Sequence, residues 1–232
     1  MQTSRNSESE QANPLEVNQE YIQSVSQLTA DDVERVKGRK PKSLGIRCGR
    51  SDCKRDLHCF DPSGSRLTFT KGRCQSCGID LIDWDVVHVR DLRNIDAKFD
   101  FFKKEWIRHF FFHVPITNRI ESYARRNGFE GLAQILDKQL RQDKMLRFIK
   151  EFDWNQTKML NGTIVHWARH ATASCCRACM KYWHNIPFEQ QLTAEDINYL
   201  KALAMRYVTL RIPDLEILQQ SRVAKAQSQS AV

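Results

Sequence analysis

The sequence contains no apolar run long enough to cross a membrane, and its N-terminal end lacks the apolar stretch that directs export. We therefore expect a cytoplasmic protein that does not enter a membrane, in a compartment where thiols stay reduced. Hydrophobic residues make up 41% of the 232 positions, enough for a core that needs no disulfide bonds. The eight cysteines thus predict metal ligation, with disulfide bonding as the weaker interpretation.

Acidic residues are almost absent between Arg35 and Arg55, where Asp52 is the only one. The same segment holds nine basic residues, so it accounts for the formal net charge of +8 and the rest of the chain is near neutral. Such concentrated charge is typical of a phosphate contact, and a solvated linker is the alternative. The candidate nucleic-acid-binding residues are Arg39, Lys40, Lys42, Arg47, Arg50, Lys54 and Arg55.

Two turns rich in cysteine follow the basic segment, and their four thiols are the first candidate zinc ligands: Cys48, Cys53, Cys74 and Cys77. The stretch R-L-T-F-T between the turns alternates like a strand, and D-L-I-D-W-D-V-V-H-V after them is a second strand candidate. Cysteine turns joined by short strands predict a zinc ribbon, a closed site without a position for catalysis. Cys59 is the main alternative to one of the first pair, and His58 is a further spare ligand.

The rest of the sequence predicts helices, so the expected fold is α+β, a small zinc-ribbon β module followed by a mainly α-helical domain. One helix is expected from Asp96 to His113, a second from Thr117 to Gly128, and a third beyond Phe129. The predicted regions are a disordered basic N-terminus with a short helix (1–43), the ribbon (44–92), the helical domain with a Cys/His cluster (93–217) and a disordered tail (218–232).

The last helix has the clearest start signal and the clearest apolar face. Thr193 followed by Asp196 forms the pattern of a capping box. Its apolar face recurs at steps of three and four and comprises Ile197, Leu200, Ala204, Tyr207 and Val208.

The densest group of soft ligands lies between His170 and His184 and contains three cysteines: Cys175, Cys176 and Cys179. If Ser174 caps a helix, the first two cysteines occupy its first turn, where the helix dipole lowers a thiol pKa. Three interpretations remain open. They are a structural zinc site with His170, a catalytic metal with an open position, and a lone nucleophilic or redox cysteine. The sequence shows no acid–base motif such as H-x-E beside the cluster.

Helix geometry decides which of these ligands can share an ion. On an unbroken helix, His184 lies about 12 Å along the axis from Cys176, too far for one zinc. We therefore predict that His170, Cys176 and Cys179 share a metal, with Cys175 or a residue from elsewhere as the fourth ligand. His109 and His113 are also spaced for ligation, but core packing is the commoner role for such a pair.

The stretch H-A-T-A-S-C-C-R-A-C-M-K-Y-W-H-N-I-P, followed by L-T-A-E-D-I-N-Y-L, resembles a family of small prokaryotic proteins of unknown function. The mark of that family is H-A-T-x-x-C-C-R-x-C-L-x-x-W-H-x-I-P. The likeness extends upstream through Q-T-K-M-L-N-G-T-I-V-H-W-A-R and covers roughly residues 120–210. This sequence departs from the pattern after Pro187, where F-E-Q-Q lacks a glycine, and at Tyr207, near an expected tryptophan. The resemblance implies a defined C-terminal module without an assigned activity.

Together these patterns predict a zinc-binding protein that contacts nucleic acid through the basic segment and the ribbon. One alternative is a nuclease-like, metal-dependent hydrolase that uses His170, Cys176 and Cys179. The other is an adaptor whose ribbon binds protein. The expected cofactor is zinc, and the expected partner is DNA, RNA or a protein.

Overall fold

A computed structural model of the protein describes residues 51–60, 72–142, 162–187 and 190–215. Across these ranges the regular structure is helical. The α-helices are α1 (Trp84–His88), α2 (Ile95–Lys103), α3 (Trp106–His113), α4 (Asn118–Arg141), α5 (Ile164–Ala171), α6 (Arg177–His184) and α7 (Ala194–Arg211). Short 3-10 turns cover Cys53–Arg55 and Leu92–Asn94. None of the helices described is both long and apolar enough to cross a membrane.

The predicted α+β fold with a zinc-ribbon β module is wrong, because the residues that the structure describes form a mainly α domain without a sheet. The second strand candidate contains α1 instead. Asp83 starts this helix, since its side chain accepts a hydrogen bond from the Val86 N–H at 3.1 Å. This cap outweighs the β propensity of the valines that follow. The stretch R-L-T-F-T and the predicted terminal regions 1–43 and 218–232 lie outside the described residues.

The single helix predicted from Asp96 to His113 is interrupted, because α2 ends at Lys103 and α3 begins at Trp106. Glu105 adopts an extended conformation at the break and forms an isolated parallel bridge with His58. The His58 N–H donates to the Lys104 carbonyl, and the Trp106 N–H donates to the His58 carbonyl, each at 2.9 Å. The break therefore attaches residues 51–60 to the helical domain.

Other helix boundaries follow local signals in the sequence. Thr193 and Asp196 form the predicted capping box of α7, and the apolar face predicted for this helix is buried. The predicted helix end at Gly128 is a break in helical geometry, with φ of 67° and ψ of 173°, so α4 consists of two helices joined at this glycine. Ser174 does not cap the cysteine helix, because Ala173 has a left-handed φ of 55° and α6 begins at Arg177.

The core forms around α5, which packs against α3, α4 and α7. A second part of the same core surrounds the fully buried Trp183 of α6. The rings of Phe60 and Phe102 meet Trp183 edge-on, with centroids 6.1 and 5.2 Å away, and the Trp84 ring lies tilted at 5.2 Å. Edge-to-face contacts of this kind add to the free energy gained by burying the rings. One aromatic cluster therefore joins the segment 51–60, α1, α2 and α6.

We expect Gly72→Ala to destabilise the fold more than Gly78→Ala, although both glycines have a positive φ, 84° and 74°. A Cβ atom at Gly72 would lie 2.5 Å from Trp84 Nε1, whereas nothing lies within 4 Å of one at Gly78. Trp84 Nε1 also donates to the Gly72 carbonyl at 2.9 Å. Steric overlap should make the loss of unfolding free energy about 2 kcal/mol larger for Gly72→Ala. Chemical denaturation of both variants measures it, and equal losses would contradict this packing.

Candidate metal centres

Four side chains from two loops converge on one point and could hold a metal ion: Cys53, His58, Cys74 and Cys77, here called the first centre. Their ligand atoms all lie within 4.8 Å of one another. Cys53 Sγ is 3.8 Å from Cys74 Sγ, and Cys77 Sγ is 3.5 Å from His58 Nδ1. Typical bond lengths in a tetrahedral zinc site imply separations of about 3.8 Å between sulfurs and about 3.5 Å between sulfur and nitrogen. The spacing of the four atoms thus fits a single tetrahedral ion.

Backbone hydrogen bonds fix the loop that carries Cys74 and Cys77. The Gly78 N–H donates to the Cys74 carbonyl at 2.8 Å, and the Cys74 N–H donates to the Ile79 carbonyl at 2.9 Å. Gly78 supplies the positive φ that this tight turn requires. The Gln75 N–H donates to the Cys59 carbonyl at 2.8 Å, so the two ligand-bearing segments are also joined to each other.

The ring of His58 is oriented by a carboxylate on its far side. His58 Nε2 lies 2.9 Å from Asp56 Oδ1, and Lys104 Nζ donates to Asp56 Oδ2 at 2.9 Å. The hydrogen bond from Lys104 and then that from His58 lower the pKa of Asp56, so this side chain is a carboxylate that can only accept. His58 Nε2 therefore carries the proton that Asp56 accepts. The lone pair of Nδ1 faces the thiols, which is the arrangement that metal-bound histidines use.

The thiols of the first centre differ in pKa. Burial raises the pKa of Cys74, but hydrogen bonds from the backbone N–H groups of Cys59, Cys77 and Ser76 outweigh it and lower the value to about 6. Burial raises the pKa of Cys53 to about 11. Without an ion, Cys74 is therefore the favoured thiolate of these two, and ionisation of Cys53 needs a cation beside it.

The sequence located this centre but not all of its ligands. Cys48, predicted as a ligand, lies outside the described residues, and His58 joins the group with the other three predicted cysteines. Cys59, the main alternative, is buried but does not belong to the group. The sequence signal for His58 as a ligand is the spacing C-x4-H, with Asp56 two residues before the histidine. This spacing pairs a ligand with its carboxylate partner.

The second centre consists of Cys175, Cys176 and Cys179, whose sulfurs also lie within 4.8 Å of one another. Cys176 is the extended N-cap residue of α6, and Cys179 is the third residue of the helix. The first two cysteines are half-buried, and Cys179 is buried. The chain brings the three sulfurs together by turning from an extended approach into a helix, not by the helical periodicity that the sequence suggested.

Two guanidinium groups lie beside these thiols. Arg108 donates from Nη2 to Cys179 Sγ at 3.4 Å. Arg169 donates from Nη2 to the Cys175 carbonyl at 3.0 Å. Hydrogen bonds from the other two cysteines, followed by the charges of Arg108 and Arg169, lower the pKa of Cys175. The pKa of Cys176 is raised instead, because this thiol donates hydrogen bonds to Cys175 and Cys179.

The histidines near the second centre have other partners. His170 Nδ1 donates to the His166 carbonyl at 2.8 Å, and His170 does not belong to the cysteine group. His184 is fully buried. Its Nε2 lies 2.9 Å from the Thr172 carbonyl and its Nδ1 lies 3.3 Å from the Tyr199 hydroxyl. Participation of His170 in a metal site stays a prediction.

The pair His109 and His113 also lies apart from both centres. Their rings stack with centroids 3.9 Å apart, and His113 Nδ1 donates to the His109 carbonyl at 2.6 Å. Burial lowers the pKa of His113 to about 3, so this ring stays neutral near pH 7. Neither histidine belongs to a ligand group in the part of the chain that the structure describes.

A buried polar chain supports the loop before the second centre. Lys98 Nζ donates to the Tyr199 hydroxyl at 2.9 Å and to the Val89 carbonyl. From Tyr199 the chain continues through His184 to the carbonyl of Thr172. The Thr172 hydroxyl donates to the Ala168 carbonyl at 2.8 Å. These bonds hold the turn between α5 and α6, which sets the position of the cysteines that follow.

Comparison with known families places the second centre inside a recognised but uncharacterised domain. Residues 96–209 match the model of a family described as a domain of unknown function (DUF4186). The match supports the resemblance seen in the sequence and extends over α2 to α7. The first centre precedes the match. No solved structure matches the chain.

Lys98 should make stability depend on alkaline pH. Burial lowers the pKa of Lys98 to about 8, below its ordinary value. Between that value and about 10.4 the unfolded chain binds more protons, so stability should rise with pH. Lys98→Met should abolish this rise, which amounts to up to about 3 kcal/mol. Denaturation of both proteins from pH 7 to 10.5 measures it, with Lys103→Met on the same helix as control. A pH-independent difference between Lys98→Met and the native protein would contradict the prediction.

Proposed function

We propose that the protein is a zinc protein whose first centre is a structural site. The supporting observation is the spacing of its four ligand atoms, which matches a tetrahedral zinc shell, together with the Asp56 carboxylate behind His58. Four protein ligands complete the preferred coordination of zinc, so this centre offers no position to a substrate.

The zinc ion joins two loops that have little regular structure to hold them. Cys53 and His58 belong to one loop, and Cys74 and Cys77 to the other. Each loop contributes few buried apolar side chains, so metal binding supplies much of the free energy that orders them. Through the bridge between His58 and Glu105, the same ion fastens both loops to the helical domain.

Nucleic-acid binding is the second proposed function, and exposed cations on the first centre favour it. Lys54 and Arg55 are exposed on the turn that begins at Cys53, and Arg73 is exposed beside Cys74. Both ligand-bearing loops thus present basic side chains to solvent, as a phosphate-contacting module does. The other predicted contact residues, Arg39, Lys40, Lys42, Arg47 and Arg50, lie outside the described residues.

The two alternative functions predicted from the sequence remain as hypotheses. A metal-dependent hydrolase would use the second centre, because the first has its full set of protein ligands. A protein-binding adaptor would use the exposed side of the loops around the first centre. Turnover of a phosphodiester that requires Cys179 would favour the hydrolase.

Loss of a ligand from the first centre should release one zinc ion per chain. Cys74→Ser or Cys77→Ser should also make residues 44–90 sensitive to proteolysis, because three ligands forfeit most of the binding free energy. Metal analysis and limited proteolysis test both effects. Full zinc content with unchanged proteolysis would overturn the structural assignment.

Asp56→Asn provides a subtler test of the same centre. Loss of the carboxylate behind a metal-bound histidine typically weakens affinity by about 10- to 100-fold. Asp80→Asn is the matched control, since Asp80 is an exposed carboxylate outside the ligand group that pairs with Arg73 at 3.7 Å. Competition with a chromophoric chelator measures the affinity, and equal affinities for the two variants would contradict the role of Asp56.

Binding of nucleic acid through the basic segment should weaken steeply as salt rises, because each neutralised phosphate releases counterions. Replacement of Arg39, Lys40 and Lys42 by Ser should reduce the salt slope and weaken binding to all sequences alike. Replacement of the exposed Arg126, Lys138 and Lys181 serves as the control for net charge. Fluorescence anisotropy with DNA and RNA over a salt series measures this, and absence of binding at low salt would favour the adaptor or the hydrolase.

A further inference from the structure

The second centre brings three cysteine sulfurs together. Its sulfurs lie close enough together for simultaneous contact with a single metal, given zinc–sulfur bonds of about 2.3 Å. All three sit at the N-terminal end of α6, where the helix dipole favours negative charge. Soft thiolate ligands select thiophilic ions of the zinc class over magnesium or calcium.

The ligand group at the second centre has three members among the described residues. Within them, no His, Asp or Glu and no further Cys places a ligand atom with the three sulfurs. His170, the fourth ligand expected from the sequence, does not belong to this group: its Nδ1 donates to the His166 carbonyl, and neither ring nitrogen lies within 4.8 Å of all three sulfurs. Cys175 and Cys176 are half-buried, so the ion would be reached from their side. Three protein ligands with one further position is the arrangement of zinc sites that exchange a ligand.

The two guanidinium groups hydrogen-bonded to the second centre, with the carboxylate that pairs with Arg108, match a divalent ion. Arg177 follows Cys176 but donates to the Pro187 and Gln190 carbonyls instead. Arg108 touches Cys179, and its Nε lies 2.5 Å from Glu105 Oε2, with both residues buried. Three thiolates and the Glu105 carboxylate carry four negative charges. The guanidinium groups of Arg108 and Arg169, together with a divalent ion, carry four positive charges. A monovalent or trivalent ion would leave a net charge in a largely buried site, which costs free energy.

We propose that Cys175, Cys176 and Cys179 bind one divalent, thiophilic ion of the zinc class whose fourth position accepts an exchangeable neutral ligand. A neutral ligand preserves the charge balance, whereas an anion would leave one uncompensated negative charge. The first centre holds its ion with four protein ligands, so the two centres differ in function: the first is closed and the second exchanges a ligand. This inference rests on the proposed zinc chemistry but not on the structural role of the first centre.

Cobalt substitution of the full chain tests the proposal, because the visible bands of Co²⁺ report its ligands. The native protein should bind two Co²⁺ ions. Cys179→Ser should bind one, and Cys77→Ser should retain the ion of the second centre. Imidazole, a neutral ligand, should change the bands of the native protein and of Cys77→Ser but not those of Cys179→Ser. Azide, a smaller ligand that carries a negative charge, should need a concentration at least about tenfold higher, a difference of about 1.4 kcal/mol.

The variants separate failure of this proposal from failure of the proposed function. Two ions in Cys179→Ser would overturn the second centre and leave the first intact, whereas two ions in Cys77→Ser would overturn the first. Cys48→Ser and His170→Ala should retain two ions and the imidazole response. Loss of the second ion in either variant would show that the protein fills the fourth position, and so would bands unaffected by imidazole. Tighter binding of azide than of imidazole would overturn the charge balance.

Discussion

The buried guanidinium of Arg108 is the group on which the arrangement of this protein depends. It is held by the Glu105 carboxylate, donates to the His170 carbonyl at 2.7 Å, contacts Cys179 and lies over the ring of Trp183 at 5.2 Å. A charge in this environment is tolerated only when its partners are in place. The break between α2 and α3, the end of α5 and the start of α6 must therefore assemble around one side chain. The need to compensate a single charge thus couples three parts of the chain that are distant in sequence.

The sequence predicted a helix correctly where the capping residues and the apolar face lie within the helix itself or directly before it. Thr193 with Asp196 is such a case, and α7 begins as expected. The failures share a different cause. Glu105 leaves the helix because of His58, about fifty residues earlier, and no periodicity in the helix itself reveals that partner. At Trp84 the valine-rich stretch favoured a strand, but the Asp83 cap and the aromatic cluster decided for a helix.

Cysteine spacing indicated both candidate metal centres, but spacing alone could not decide which side chains converge at each centre. His58 was recognised only as a spare ligand, because its partner Asp56 is informative only once the ring orientation is known. At the second centre, the expected cap at Ser174 placed the cysteines on a regular helix. The left-handed Ala173 instead delays the helix and brings Cys175 and Cys176 onto an extended approach. The positive φ of this one residue therefore changes which sulfur atoms converge. Because the residue is an alanine, the sequence does not predict this conformation.

The bridge between His58 and Glu105 bears on where this domain can be cut. The family match starts at residue 96, which would place the segment 51–60 outside the domain. Yet the Lys104 carbonyl and the Trp106 N–H find their partners on His58, and the ring of Phe60 packs against Trp183 within the matched region. A fragment that begins at residue 96 would lose these partners and uncover one side of Trp183. The packed core of the described residues therefore extends toward the N-terminus beyond the range 96–209 that the family model matches.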